Sequence, residues 1–160
     1  MRLAVGEDTL CDVEVGETYS EEEVGRSTIR FADYLDYMKL FDTLNHPDNK
    51  EQDIPLVYLA QNDVFEGLKQ DFTIPYFCED PRYGIGNGKL YNVMIWFGPK
   101  GTVSPLHYDP MDNLLMQFVG QKRILLFPPE PHYHAGEDGC QYNTSPINVE
   151  SEEEVDLERY

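Results

Sequence analysis

His107 and Asp109 stand two residues apart in the segment Trp96-Phe97-Gly98-Pro99-Lys100-Gly101-Thr102-Val103-Ser104-Pro105-Leu106-His107-Tyr108-Asp109-Pro110. On an extended strand side chains alternate with period two, so an imidazole and a carboxylate at that spacing face the same side. Such a pair can supply two of the three ligands of a 2-His-1-carboxylate facial triad. That triad holds Fe(II) and leaves the opposite positions open for a cosubstrate and oxygen. The pair also reads as a surface His-x-Asp, or as a histidine satisfied by a neighbouring carboxylate. Pro105 and Pro110 bracket it, fixing the local backbone and interrupting sheet pairing. The surrounding residues have to decide between these readings.

Lys122 is the second chemically suggestive residue. Asn113-Leu114-Leu115-Met116-Gln117-Phe118-Val119 and Lys122-Arg123-Ile124-Leu125-Leu126-Phe127 are two strand-like runs separated by Gly120-Gln121. A two-residue loop with glycine first predicts a type II′ hairpin. Val119 then opposes Lys122, Gln117 opposes Ile124, and Leu115 opposes Leu126. In that register Asn113, Gln117 and Lys122 share one face, a polar stripe bordered by Leu115, Ile124 and Leu126. On a surface strand Lys122 would be ordinary edge protection. Inside a barrel it would need an anion, and a dicarboxylic acid would supply one. Ser104 and Tyr58 could add neutral hydroxyl donors.

Other candidates read as structure. His132-Tyr133-His134 sits among Pro128, Pro129, Pro131 and Gly136, which predicts a loop rather than ligands. His46 falls in the breaker cluster Asn45 to Lys50 and reads as an exposed loop histidine. Asn143-Thr144-Ser145 matches an N-glycosylation acceptor, a pattern without consequence in a cytosolic chain. Cys11, Cys78 and Cys140 are odd in number and far apart, which fits buried free thiols in a reducing compartment. The sequence holds no Gly-rich phosphate loop, no Gly-x-Ser-x-Gly and no zinc-type Cys/His spacing.

The elements that must position these residues follow from periodicity. Leu10 to Val15 alternates apolar and polar, a half-buried strand ended by Gly16. Phe31, Tyr34, Leu35, Met38 and Phe41 predict an amphipathic helix whose aromatic stripe is packing. Ile54 to Ala60 reads as a buried strand, and a short helical turn is expected around Phe65 to Leu68. Ile74 to Phe77 is expected to be extended and Asp80 to Lys89 an exposed loop. Tyr91 to Phe97 is the next strand, and from there to Pro128 the chain reads as continuous antiparallel sheet.

Composition sets the class. The 160 residues fit one domain, with 41% hydrophobic and 12% aromatic residues, as in globular chains. No apolar run reaches the length of a membrane span, and the N-terminus lacks a signal-peptide core. An intracellular address, nucleus and/or cytoplasm, is the expectation. Thirty acidic against twelve basic residues give a net charge of −18. Such a surface repels phosphate backbones and favours Lys- or Arg-rich protein partners, or serves solubility alone. Part of the charge lies in Glu21-Glu22-Glu23 and in Glu150 to Glu158, where six of nine residues are acidic.

Gly-Pro-x-Gly-Thr-Val-Ser-Pro-Leu-His-x-Asp (98–109), Asn-Leu-Leu-x-Gln (113–117) and Gly-x-Lys-Arg (120–123) before Pro128-Pro129 together resemble a JmjC oxygenase of the small cupin-like type. Val13-Glu14-Val15-Gly16, Tyr58-Leu59-Ala60-Gln61 and Leu68 to Pro75 strengthen the resemblance, which runs from about residue 11 to the end. It implies a mainly β fold with peripheral helices, a double-stranded β-helix of the cupin or jelly-roll kind. It also implies Fe(II) and 2-oxoglutarate as cofactors. His107 and Asp109 would be metal ligands, and Lys122 would pair with the distal carboxylate of 2-oxoglutarate. Tyr58 and Ser104 would hydrogen-bond nearby, while Asn113 and Trp96 would shape the pocket. The implied reaction couples oxidative decarboxylation of 2-oxoglutarate to hydroxylation of a substrate C–H bond.

One departure stands out. The family's second histidine, which follows a Gly-Asp-x-Leu-x-x-Pro stretch beyond the His-x-Asp, has no counterpart before Tyr160. His132 and His134 come too early to match it. The expectation is therefore a single partial domain over 1–160, incomplete at the C-terminus and inactive as a fragment. Residues 10–90 hold N-terminal strands and the helix, 91–128 the core barrel strands, and 129–160 an acidic loop region. The expected function is a 2-oxoglutarate-dependent dioxygenase acting on protein Arg or Lys side chains, histones among them, by hydroxylation or demethylation. Membrane and nucleic acid are not expected as partners. A non-catalytic cupin-like binding module and a tRNA-modifying JmjC hydroxylase are the competing readings.

Overall fold

The computed structural model describes residues 1–16, 25–44, 54–128, 143–145, 147 and 149. Its elements run α1 (Arg2–Val5), β1 (Leu10–Val15), β2 (Gly25–Arg30), α2 (Phe31–Leu44) and β3 (Val57–Asp63). Four short 3-10 turns follow (Glu66–Asp71, Tyr76–Cys78, Pro81–Tyr83, Gly86–Gly88), and then β4 (Met94–Phe97). The strands form one antiparallel sheet in the order β2-β1-β3-β4.

Alternation in β1 sorts the sheet into two faces. Cys11 and Val13 turn toward α2 and join Phe31, Tyr34 and Leu59 in the buried core. Asp12 and Glu14 turn the other way. Helix α2 forms because its apolar residues recur every three or four positions, and Phe31, Tyr34 and Phe41 are buried as that spacing predicts. Phe31 packs on Phe65 at 4.7 Å and Tyr34 meets Phe97 edge-on at 5.6 Å. The aromatic stripe is packing, as expected.

Tyr34 does more than fill space. Its hydroxyl accepts from the Leu59 amide at 3.2 Å and lies within hydrogen-bond reach of the carbonyls of Val57 and Phe97. A helix side chain thus closes the gap where β3 and β4 part. The pairing resumes three residues further along β3 and two along β4, past a bulge between Leu59 and Asn62 where Gln61 takes φ +53°. Asn62 then stands in for a missing rung between β1 and β3. Its Nδ2 donates to the Asp12 carbonyl at 2.7 Å and its Oδ1 accepts from the Asp12 amide at 2.9 Å.

Cys11 and Cys78 are buried free thiols; Cys140 lies outside the described residues. Burial, and secondarily the charge of Asp12, pushes the Cys11 thiol up to about 11. At neutral pH it is a protonated packing group.

Several expectations need correction. The strand expected over Ile54 to Ala60 begins three residues later and runs to Asp63. Pro55 lies outside the ladder, where its carbonyl accepts from the Tyr37 hydroxyl at 3.0 Å. Ile74 to Phe77 is extended only as far as Pro75, where the Tyr76–Cys78 turn begins. Strand β2 carries a single large apolar residue, Ile29, so no alternation announces it.

The largest correction concerns residues 98–128. The expectation that they continue the sheet as core barrel strands fails, because they contain no strand. The Asn113–Val119 and Lys122–Phe127 runs do not pair, although Gly120 has the positive φ of +77° that a II′ turn needs. Strand-like composition becomes a strand only where neighbours accept its hydrogen bonds and bury one face. Among the described residues these runs have neither, and Phe118, Val119 and Leu126 are exposed. His46, the His132-x-His134 pair and both acidic runs lie outside the described residues.

Candidate functional site

Tyr58 is the fixed point of the site. It is buried at the second position of β3, between core-packed Val57 and Leu59, so its ring leaves the sheet on the face away from α2. Gly98 lets the chain pass directly over it. A Cβ there would stand 2.6 Å from Tyr58 Cδ2 and 3.0 Å from the Thr102 side chain. Gly98→Ala is expected to displace the Tyr58 ring and lower stability by about 1–3 kcal/mol, read as a lower urea midpoint with unchanged m-value.

Lys122 reaches this ring from the far end of the chain segment. Its Nζ donates to the Tyr58 hydroxyl at 3.2 Å and lies 5.9 Å from the ring centroid. It pairs with no carboxylate among the described residues. The polar stripe expected from the hairpin register does not assemble. Gln117 turns back to the Val119 carbonyl at 2.7 Å, and Asn113 donates to Asp109 at 2.6 Å. Trp96 leaves β4 on the same side as Tyr58, opposite the core-packed Ile95 and Phe97. Ser104 is exposed and forms no hydrogen bond among the described residues.

His107 and Asp109 lie on an exposed segment, not on a continuous strand. Their backbone is held by an isolated antiparallel bridge between His107 and Thr144. His107 Nδ1 donates to the Pro105 carbonyl at 2.7 Å, which leaves Nε2 with its lone pair. Metal-ligating histidines are oriented by this kind of bond. Asp109 receives Asn113 on Oδ2, leaving Oδ1 for another donor. In donor type the imidazole nitrogen and the carboxylate oxygen suit a divalent metal. Among the described residues no third metal-ligating group joins them.

No motif singles out Glu14. It pairs with Tyr58 across β1 and β3, so the two side chains share a face. The carboxylate is largely buried, with Oε1 3.7 Å from Arg26 and Oε2 without a hydrogen-bond partner among the described residues. The β1 alternation is enough to place Glu14 on the face opposite Cys11 and Val13. Its nearness to Tyr58 needs the strand register.

The model of the cupin-like domain family matches residues 8–160. The chain belongs to the cupin-like domain family. Its relatives carry the JmjC names that residues 96–123 resemble, and the mainly antiparallel sheet with few helices accords with the expected fold. The cupin-like chain is 37% identical over 158 residues to JmjC domain-containing protein D of Dictyostelium discoideum, covering 89% of this chain and 33% of that protein. It is 37% identical over 148 residues to lysine-specific demethylase 8 of Danio rerio, covering 87% and 32%. It is 34% identical over 70 residues to tRNA wybutosine-synthesizing protein 5 of Danio rerio, covering 44% and 19%. The cupin-like chain thus spans about a third of the length of the first two relatives.

Proposed function

We propose that this cupin-like chain belongs to a Fe(II)- and 2-oxoglutarate-dependent oxygenase that acts on an arginine or lysine side chain of a protein. The observation that carries the reading is Lys122 on the Tyr58 hydroxyl, 64 residues away in sequence. A cation beside a hydroxyl donor, paired with no carboxylate among the described residues, is a receptor for an anionic group. The distal carboxylate of 2-oxoglutarate has the right charge. Ser104 would add a further donor, and Asn113 and Trp96 would border the bound molecule. His107 Nε2 and Asp109 Oδ1 would hold the iron.

When bound, iron and 2-oxoglutarate would use dioxygen as the oxidant, one oxygen atom converting a substrate C–H bond to C–OH and the other ending in succinate as carbon dioxide leaves. The protein's part is to orient the target and keep water out. Glu14 supports a cationic target: its buried Oε2 lacks a partner among the described residues, and an ammonium or guanidinium would supply one. The net charge of −18 supports a basic protein segment, such as a histone tail, in the same way. A methylene carbon of the side chain placed at the metal would be hydroxylated, and an N-methyl carbon so placed would be lost as formaldehyde. Buried free thiols at Cys11 and Cys78 accord with an intracellular address, nucleus and/or cytoplasm.

The relationship to tRNA wybutosine-synthesizing protein 5 favours a second reading with an RNA target. The acidic surface opposes it, because RNA binding needs a basic footprint. The test is full-length protein supplied with Fe(II), ascorbate, 2-oxoglutarate and Arg- or Lys-rich peptides. Succinate release by NMR, with a matching mass change in the peptide, is the expected result. Neither binding nor turnover of 2-oxoglutarate would sink the oxygenase reading and leave a non-catalytic binding module. Salt-sensitive RNA binding with RNA-dependent succinate would transfer the target to RNA.

A further inference from the structure

We infer that Asn143 is a positioning residue for the His107–Asp109 pair, an inference that rests on the metal reading above. Residues 98–112 carry no helix or strand of their own. The backbone between the two side chains is held instead by a strap, residues 143–145. The Tyr108 amide donates to the Asn143 carbonyl at 2.9 Å, and the Ser145 amide donates to the Leu106 carbonyl at 2.7 Å. Asn143 then adds a side-chain bond, with Nδ2 donating to the Tyr108 carbonyl at 3.1 Å.

One residue therefore occupies both backbone polar atoms of Tyr108, the residue that separates the two side chains. Fixing both peptide planes of Tyr108 fixes the directions in which His107 and Asp109 leave the chain. The strap has its own anchor. Ser145 and Ile147 are buried, and Ser145 Oγ accepts from the Ile147 amide at 3.2 Å. Pro105 on one side and Asn113 on the other complete the orientation of the two donors.

The chemistry of the clamp is specific to an amide. Aspartate has the same shape and no donor, and its carboxylate would face the Tyr108 carbonyl. Alanine removes the bond without adding charge. Serine keeps a donor on a shorter arm.

The test compares full-length wild type with Asn143→Asp, Asn143→Ala and Asn143→Ser, using Mn(II) alone as the probe. Loss of an outer-sphere contact typically weakens metal binding tenfold or more, so about a tenfold rise in the Mn(II) dissociation constant is expected for Asp and Ala, with partial recovery in Ser. Thr144→Ser, a change on the same strap that leaves Asn143 in place, is expected to bind as wild type. The ¹⁵N shifts of the His107 imidazole, taken without metal, form the second readout. Wild type is expected to show the Nδ1–H form, and Asn143→Asp an average of both tautomers. Wild-type Mn(II) affinity in both Asp and Ala, or an unchanged His107 tautomer in Asp, would overturn the inference. If wild type itself ignores Mn(II), the metal reading fails, and the tautomer readout still decides whether Asn143 positions His107. Should Asn143→Asp unfold, Ala and Ser carry the same comparison.

Discussion

Lys122→Met in the full-length protein is expected to raise the KM for 2-oxoglutarate about a hundredfold, with much less effect on kcat at saturating cosubstrate. The ammonium that bonds the Tyr58 hydroxyl would be the main positive charge facing the cosubstrate's distal carboxylate. Methionine keeps the unbranched stem of the side chain and removes the ammonium, its charge and its hydrogen bond to Tyr58 together. Losing one member of a charged, hydrogen-bonded pair commonly changes affinity by that order or more. Two companion variants sharpen the reading. Tyr58→Phe removes a neutral donor and is expected to raise KM only several-fold. Lys122→Arg keeps the charge in a planar fork that does not fit the same space, so partial recovery is expected. Initial rates of succinate formation across a 2-oxoglutarate series separate these outcomes. An unchanged KM in Lys122→Met would remove the residue from the anion site.

The second large effect is on stability. Tyr34→Phe is expected to lower the free energy of unfolding by about 2 kcal/mol, read from urea midpoints at constant m-value. In a domain of this size that corresponds to a fall in Tm of about 4–8 °C. The ring itself stays in the core, so no cavity forms. The loss comes from three backbone groups that share one hydroxyl, the Leu59 amide and the carbonyls of Val57 and Phe97. Tyr34→Ala adds a cavity among Phe31, Leu59 and Phe97 and is expected to cost about 4 kcal/mol in total. A Tyr34→Phe protein as stable as wild type would mean that the β3–β4 gap closes without the hydroxyl.

Residues that pack locally are legible in the sequence. The spacing of Phe31, Tyr34 and Phe41 defines α2, and the alternation from Leu10 to Val15 defines β1 within its true bounds. The motif around His107, Asp109 and Lys122 points to the cupin-like family that the match over residues 8–160 establishes. The runs at 113–127 mislead because a strand is a property of pairs. Their composition is strand-like, but the register derived from Gly120-Gln121 assumes partners that the described residues do not offer. That register puts Lys122 and Asn113 on one face, whereas Lys122 bonds Tyr58 and Asn113 bonds Asp109. Glu14, Gly98 and Asn143 escape sequence reasoning for a related cause. Each matters through a neighbour far away in the chain, and Asn143 stands out in the sequence only as part of a glycosylation pattern.

The clamp at Tyr108 bears on how this family can vary. Asn143 and Tyr108 are 35 residues apart. The entropy of closing so long an interval grows only logarithmically, by about 0.6 kcal/mol for each doubling of its length. Insertions or deletions between the two contact points therefore barely register at the contact itself. Between Lys122 and Asn143, natural variation can lengthen, shorten or recompose the chain at little entropic cost to the contact at Tyr108. A search for diversity among relatives would look there first, and would expect the residues at the two contact points to change least.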